Sequence, residues 1–119
     1  MKRRLALLLL AFLVGLSDSI PARAVYNGSE FYIYKNVAAT QGPFTLRGGQ
    51  YSVTVIATWG GGSVTLQRLS DDGSTYVTCL TAFSANGYAT VNLPSGTYQF
   101  LVTTATSVYV DIFSVVVVQ

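Results

Sequence analysis

The segment QYSVTVIAT, residues 50–58, decides the fold class of this chain. Its residues Tyr51, Val53 and Val55 alternate with serine and threonine, and successive side chains of a β-strand point to opposite faces of a sheet. β-Branched and aromatic residues favour strands, and glycines close the segment at both ends. The segment therefore predicts a β-strand with one buried face, which carries Tyr51, Val53 and Val55.

The same pattern recurs along the chain, broken every 8–12 residues by turn sequences that include an Asp-Gly and an Asn-Gly pair. No amphipathic helix is predicted after residue 24. The sequence therefore predicts an all-β domain over residues 25–119: a single antiparallel β-sandwich, jelly-roll-like, with an open barrel as the alternative. About eight strands are expected, at residues 29–37, 44–46, 50–58, 63–69, 75–80, 88–93, 97–103 and 107–119.

Residues 1–24 differ in kind from the rest of the chain. A basic start is followed by the apolar run Leu5 to Leu16 and by small residues at Pro21 to Ala24. This layout is typical of a secretory signal peptide, and the apolar run is short for a transmembrane helix. The alternative is a retained N-terminal arm that docks on another subunit.

The composition of residues 25–119 argues against catalysis and metal binding. This part has no histidine, three basic residues and four acidic residues, and the chain's net charge of +2 comes from residues 1–24. The absence of clustered Lys and Arg excludes a nucleic-acid-binding stripe. Cys79 is the only cysteine, and Asp71 and Asp72 fit a solvated hairpin tip better than a calcium site. We therefore expect a protein that is not an enzyme and holds no cofactor or metal.

Aromatic residues provide two sets of candidates for binding. Trp59 precedes three glycines, which leave space around its ring for a sugar or a subunit, and packing of the ring at the sandwich edge is the more ordinary interpretation. Tyr32 and Tyr34 are interface candidates, because tyrosine combines an apolar ring with a polar end.

The C-terminal segment is the other candidate contact. Val115 to Val118 do not alternate with polar residues, so both faces of this strand favour burial. The segment either lies in the middle of a sheet or packs against another chain, and a free apolar edge would be prone to aggregate. The candidate contact residues here are Phe113, Val115 and Val117.

Five short motifs stand at the strand ends and turns: YKNV (34–37), GGQYSV (48–53), GGGSVTLQ (60–67), DGSTY (72–76) and LPSGTY (93–98). Together they resemble motifs of small β-sandwich virion accessory proteins of tailed bacteriophages and prophages, such as capsid decoration or cement proteins. The resemblance implies a structural protein of the virion that forms homotrimers and contacts the major capsid protein or other virion proteins. The alternative is a secreted or periplasmic β-sandwich that binds a glycan or another surface ligand, because such modules use similar turns.

Overall fold

The computed structural model describes residues 30–115, and all of its regular structure is β. The predicted leader or arm at residues 1–24, and Val117, lie outside the described residues. None of residues 30–115 belongs to a helix that is long and apolar enough to cross a membrane. The strands are β1 (Phe31–Val37), β2 (Gln41–Leu46), β3 (Gly49–Thr58), β4 (Ser63–Leu69), β5 (Tyr76–Thr78), β6 (Gly87–Leu93), β7 (Gly96–Thr103) and β8 (Thr106–Ser114).

The eight strands form two four-stranded antiparallel sheets. The front sheet has the order β1-β8-β3-β6, and the back sheet has the order β2-β7-β4-β5. The first strand pairs with the last, the second with the seventh, the third with the sixth and the fourth with the fifth. This nested pairing is that of a jelly roll. It confirms the prediction of an all-β, jelly-roll-like sandwich with about eight strands.

The core lies between the sheets and follows the predicted alternation. Val53 and Val55 of β3 are fully buried, and the alternate residues Val108, Val110 and Ile112 of β8 are buried beside them. The back sheet contributes further apolar side chains, among which Phe44 and Phe100 pack with ring centroids 5.4 Å apart. Burying these apolar surfaces is the main favourable term in folding.

Two of the differences between the observed and the predicted strand boundaries are in β2 and β5. Residues 41–43 were expected in a loop, yet β2 begins at Gln41. Its register with β7 shifts between Gln41 and Phe44, where Pro43 supplies no backbone donor, and edge strands tolerate such a proline. The fifth strand ends at Thr78 rather than at residue 80, although Cys79 N–H still donates to the Leu66 carbonyl of β4.

The strand predicted at residues 107–119 is observed as β8, which runs to Ser114. Val116 to Val118, for which burial in a sheet or against another chain was predicted, lie outside the described residues. β8 lies between β1 and β3 and pairs with both. Beyond it, Val115 N–H donates to the Gln50 carbonyl over 2.8 Å. The buried position of β8 explains why its inward side chains are uniformly β-branched.

The turn between β3 and β4 packs directly on the backbone of the turn between β7 and β8. Gly62 N–H donates to the Trp59 carbonyl over 2.7 Å, and Gly62 is buried. A Cβ at this position would collide with the Thr103 carbonyl oxygen and the Ala105 nitrogen. Glycine is therefore required at position 62 by the close approach of two backbones.

We expect Gly62→Ala to lower the free energy of unfolding by about 3 kcal/mol, because backbone atoms cannot move aside as a flexible side chain can. Gly60→Ala is the matched control: its φ of 52° disfavours alanine, but its Cβ would meet nothing within 4 Å. The control should cost about 1 kcal/mol. Denaturant unfolding of both variants tests this, and equal losses would contradict the packing argument.

Candidate functional site

The outer surface of the front sheet carries a row of large apolar side chains. Because Val108, Val110 and Ile112 point into the core, the residues between them on β8 point outward. Cross-strand partners share a face, so their outward neighbours on the other strands belong to the same surface. We define the front face as the outward residues of the front sheet. Its large side chains are Phe31, Ile33, Ile56, Tyr88, Tyr109 and Phe113, and Asp111 and the polar residues Ser52, Thr54, Thr90 and Asn92 lie among them.

The front face is exposed although it is apolar. Phe31 lies directly opposite Phe113, and their rings stack with centroids 5.2 Å apart and an angle of 11° between their planes. Ile56 lies opposite Tyr109. The side chain of Tyr88 is the most exposed large apolar group in residues 30–115, at 65%. Exposed apolar side chains grouped on one surface mark sites where proteins bind other molecules.

One carboxylate interrupts the apolar surface. Asp111 lies between Ile33 of β1 and Thr54 of β3. Burial raises the pKa of Asp111, and a hydrogen bond with the Thr54 backbone acts in the opposite direction. A partner that covers the front face would remove this carboxylate further from water, so the partner must offer it a hydrogen-bond donor or a cation.

The outer surface of the back sheet is different. Thr45 of β2 and Gln99 of β7 each lie between two buried residues and point outward, and Thr97 shares this face as the cross-strand partner of Thr45. Gln99 pairs with Gln67 of β4, and its Nε2 donates to Gln67 Oε1 over 2.8 Å. Of the large apolar side chains that are exposed in residues 30–115, only Val77 lies away from the front sheet and its continuation. The apolar surface is therefore confined to one side of the sandwich.

The candidate residues from the C-terminal segment lie on or beside the front face. Phe113 belongs to it, and Val115 follows directly after β8 with 37% of its surface exposed. Val117 lies outside the described residues.

The tyrosine candidates lie elsewhere. Tyr32 and Tyr34 point between the sheets, with ring centroids 4.8 Å and 6.1 Å from that of Phe44. The Tyr32 hydroxyl donates to the Thr45 carbonyl over 2.9 Å. Both side chains therefore line the sandwich interior and join its two sheets.

Trp59 lies at the end of β3, where its side chain is partly buried against the core. Its indole N–H donates to Asn86 Oδ1 over 3.0 Å, and the same oxygen accepts a hydrogen bond from Ala57 N–H over 3.2 Å. The polar edge of the ring is thus used within the protein, and it links two loops at one end of the sandwich.

Sequence reasoning missed most of the front face. The alternation that predicts Tyr51, Val53 and Val55 as buried also requires Ile56 to point outward, and the same argument places Tyr109. Large apolar residues at outward positions were the signal available. Their grouping with Phe31, Ile33 and Tyr88 depends on the order of strands in the sheet, which periodicity alone does not provide.

The Glu30 carboxylate forms hydrogen bonds within the sandwich. Tyr51 hydroxyl donates to Glu30 Oε1 over 2.6 Å and accepts from Gly48 N–H over 3.0 Å. Arg47 N–H donates to both carboxylate oxygens of Glu30, over 3.0 Å and 3.1 Å. These bonds fasten the start of β1 to the β2–β3 turn and to a buried tyrosine of β3.

Asp72 forms the predicted hairpin tip. Hydrogen bonds from Thr75, Ser70 and Ser74 hold the pKa of Asp72 well below its usual range. Within residues 30–115 no three His, Cys, Asp or Glu side chains are grouped so that they could hold a metal ion. Burial raises the pKa of the Cys79 thiol, and the Arg68 cation acts in the opposite direction.

The solved structures that are similar to this chain share little of its sequence. The SPBc2 prophage-derived protein YomS has a TM-score of 0.52 and 12% identity, over 77% of this chain and 98% of that chain. The TNF protein Eiger from S. frugiperda has a TM-score of 0.46 and 10% identity, over 78% and 96% of the two chains. A carbohydrate-binding module of Cellvibrio mixtus lichenase 5A has a TM-score of 0.36 and 20% identity, over 76% and 89%. No protein-family model and no curated protein matches the chain.

Tyr51 makes the stability of the sandwich sensitive to alkaline pH. Burial and the hydrogen bond to Glu30 raise the pKa of Tyr51 to about 12 in the folded protein, whereas tyrosine in an unfolded chain ionises near a pKa of about 10. A raised pKa means that the folded state favours the neutral phenol. Its stabilising contribution is therefore complete below about pH 10 and is lost as the pH rises toward 12.

We expect the free energy of unfolding of the wild type to fall between about pH 10 and 12, and Tyr51→Phe to reduce the slope of this fall. Tyr76→Phe, in the exposed region around β5, is the matched control. Denaturant unfolding at fixed pH values measures both. A slope that Tyr51→Phe leaves unchanged would show that another group dominates the alkaline transition.

Proposed function

We propose that this chain is a non-enzymatic virion structural protein of a tailed phage or prophage, which decorates or cements the capsid. The observation that carries the proposal is the front face, on which the exposed large apolar side chains of residues 30–115 are concentrated on one side of the sandwich. The fold shared with a prophage-derived protein supports it. The front face is the contact with the major capsid protein or another virion protein, and contacts between copies of the chain add to it.

The chemistry of the front face suits a protein surface better than a small ligand. Covering a half-exposed side chain of this size contributes about 1 kcal/mol, and aromatic residues carry a large share of the binding energy in protein interfaces. Asp111 adds specificity, because burying it unpaired would oppose binding. The matching surface on the capsid protein is therefore apolar, with a Lys or Arg opposite Asp111.

Purified phage particles test this proposal. We expect the protein in a fixed ratio to the major capsid protein, and the double variant Phe31→Ser, Phe113→Ser should lose most of its occupancy on particles. Loss of the stacked ring pair should cost about 1 kcal/mol of folding stability beyond the apolar area that the two partly exposed rings bury, so the variant must first be shown to be folded by circular dichroism. Val77→Ser is the matched control, because Val77 is 54% exposed but lies on β5 of the back sheet.

The occupancy of each variant can be measured by mass spectrometry of particles that were stripped and then re-exposed to added protein. Absence of the wild type from particles would contradict the virion role. Equal losses for the double variant and Val77→Ser would contradict the assignment of the front face.

A secreted or periplasmic module that binds a glycan is the second candidate, and the exposed rings of Tyr88 and Tyr109 favour it. In that case we expect Tyr88→Ala to abolish retention on an immobilised polysaccharide and to leave the fold intact. Trp59→Ala should instead destabilise the protein, because it removes the hydrogen bond to Asn86 and packing against the core. Failure of the wild type to bind any glycan on a broad array would end this alternative.

A further inference from the structure

The two sheets leave four edge strands, β1 and β6 in the front sheet and β2 and β5 in the back sheet. An edge strand presents unpaired N–H and C=O groups, which can pair with a strand of another chain. Proteins usually protect such edges with bulges, prolines, charged residues or very short strands. The way in which each of the four edges is built therefore shows which of them is open to a partner.

Three of the four edges are protected. The register of β1 shifts between Tyr34 and Val37, where Asn36 has a φ of 54° and Lys35 adds a charge. The register of β2 shifts between Gln41 and Phe44, and this interval contains Pro43. β5 has only three residues.

The edge of β6 has none of these features. Its seven residues, Gly87–Leu93, pair with β3 in an unbroken register from Val55 to Gly49. The strand contains no charged residue and no proline. Within residues 30–115, its backbone makes no hydrogen bond outside the pairing with β3. Its outward side chains Tyr88, Thr90 and Asn92 are exposed.

We propose that β6 pairs antiparallel with β6 of a second copy of this chain, about a twofold axis at Thr90. This arrangement sets Thr90 opposite Thr90 of the second copy, and Tyr88 opposite Asn92 of the second copy. On the inward side, Ala89 meets Val91 of the second copy. Cross-strand Thr pairs are favourable, and no like charges meet at the axis because the strand is uncharged.

The pairing joins two front sheets into one continuous eight-stranded sheet, since each copy contributes four strands. The two front faces then lie side by side on the same surface. The inference deepens the homo-oligomeric part of the proposed function and predicts a dimer, whereas the resemblance to virion proteins implies a trimer. It concerns the purified protein, so its failure would leave the occupancy test on phage particles unaffected.

Light scattering or sedimentation equilibrium over a range of protein concentrations tests the proposal. We expect twice the monomer mass for the wild type, and a dissociation constant about tenfold or more higher for Thr90→Lys, because two like charges meet at the axis. Thr54→Lys is the matched control. Thr54 is exposed opposite Tyr88 on the same face, but it lies on the interior strand β3.

The control separates association through the edge from association through the front face. A dimer that survives Thr54→Lys but not Thr90→Lys supports the edge pairing. A monomeric or trimeric wild type, equal weakening by both variants, or no weakening by Thr90→Lys would overturn it.

A cross-link provides positive evidence for the pairing, whereas the lysine variants test it by weakening association. In a Cys79→Ser background, Thr90→Cys should form a disulfide-linked dimer on mild oxidation, because directly opposed antiparallel residues have Cα atoms about 4.5–5.5 Å apart. Thr54→Cys should remain monomeric on a non-reducing gel. Absence of the Thr90 cross-link, or equal cross-linking at position 54, would overturn the proposed register.

Discussion

The pairing of β8 with both β1 and β3 is the interaction on which the rest of the structure depends. It joins the two ends of the described chain, since Phe31 pairs with Phe113. It also connects β1 to β3, since β8 pairs with β3 through residues such as Val53 and Ile112. Without β8 the front sheet would be divided, and the buried residues Val108 and Val110 would be missing from the core. Such long-range pairing must overcome a large loop-closure entropy, so we expect the front sheet to form late in folding. The front face exists only once this pairing is complete.

The apolar character of the front face is not a requirement of the fold. The back sheet of the same sandwich has glutamine and threonine at its outward positions, as at Gln67 and Gln99, and is equally well paired. Polar residues would have served at Ile33 or Ile56 too, because outward positions do not contribute to the core. An exposed apolar surface instead carries a risk of aggregation. This asymmetry between the two outer surfaces is the reason for assigning the front face to binding.

Much of the fold could be predicted from the sequence because alternation is a local property. The buried face of Tyr51, Val53 and Val55 was predicted from its own segment, and the structure confirms it. The order of strands depends on long-range pairing, which periodicity does not encode. For this reason Tyr32 and Tyr34 were interpreted as interface residues although they line the interior, and the hydrogen bond from Trp59 to Asn86 was not foreseen. The start of β2 was missed because Gly42 and Pro43 are typical of loops and also of irregular edge strands.

Pairing through the edge of β6 would strengthen binding through the front face. One front face offers a small number of half-exposed side chains, each worth about 1 kcal/mol on burial, and Asp111 must be satisfied by the partner. A single face is therefore expected to bind weakly. Pairing through β6 places two such faces on one rigid sheet, so that binding of the first raises the effective concentration of the second. The gain requires a partner surface with regularly spaced copies of the same site, which a capsid lattice provides and a single soluble ligand does not. Edge pairing thus makes a modest apolar face sufficient for attachment to a repeating surface.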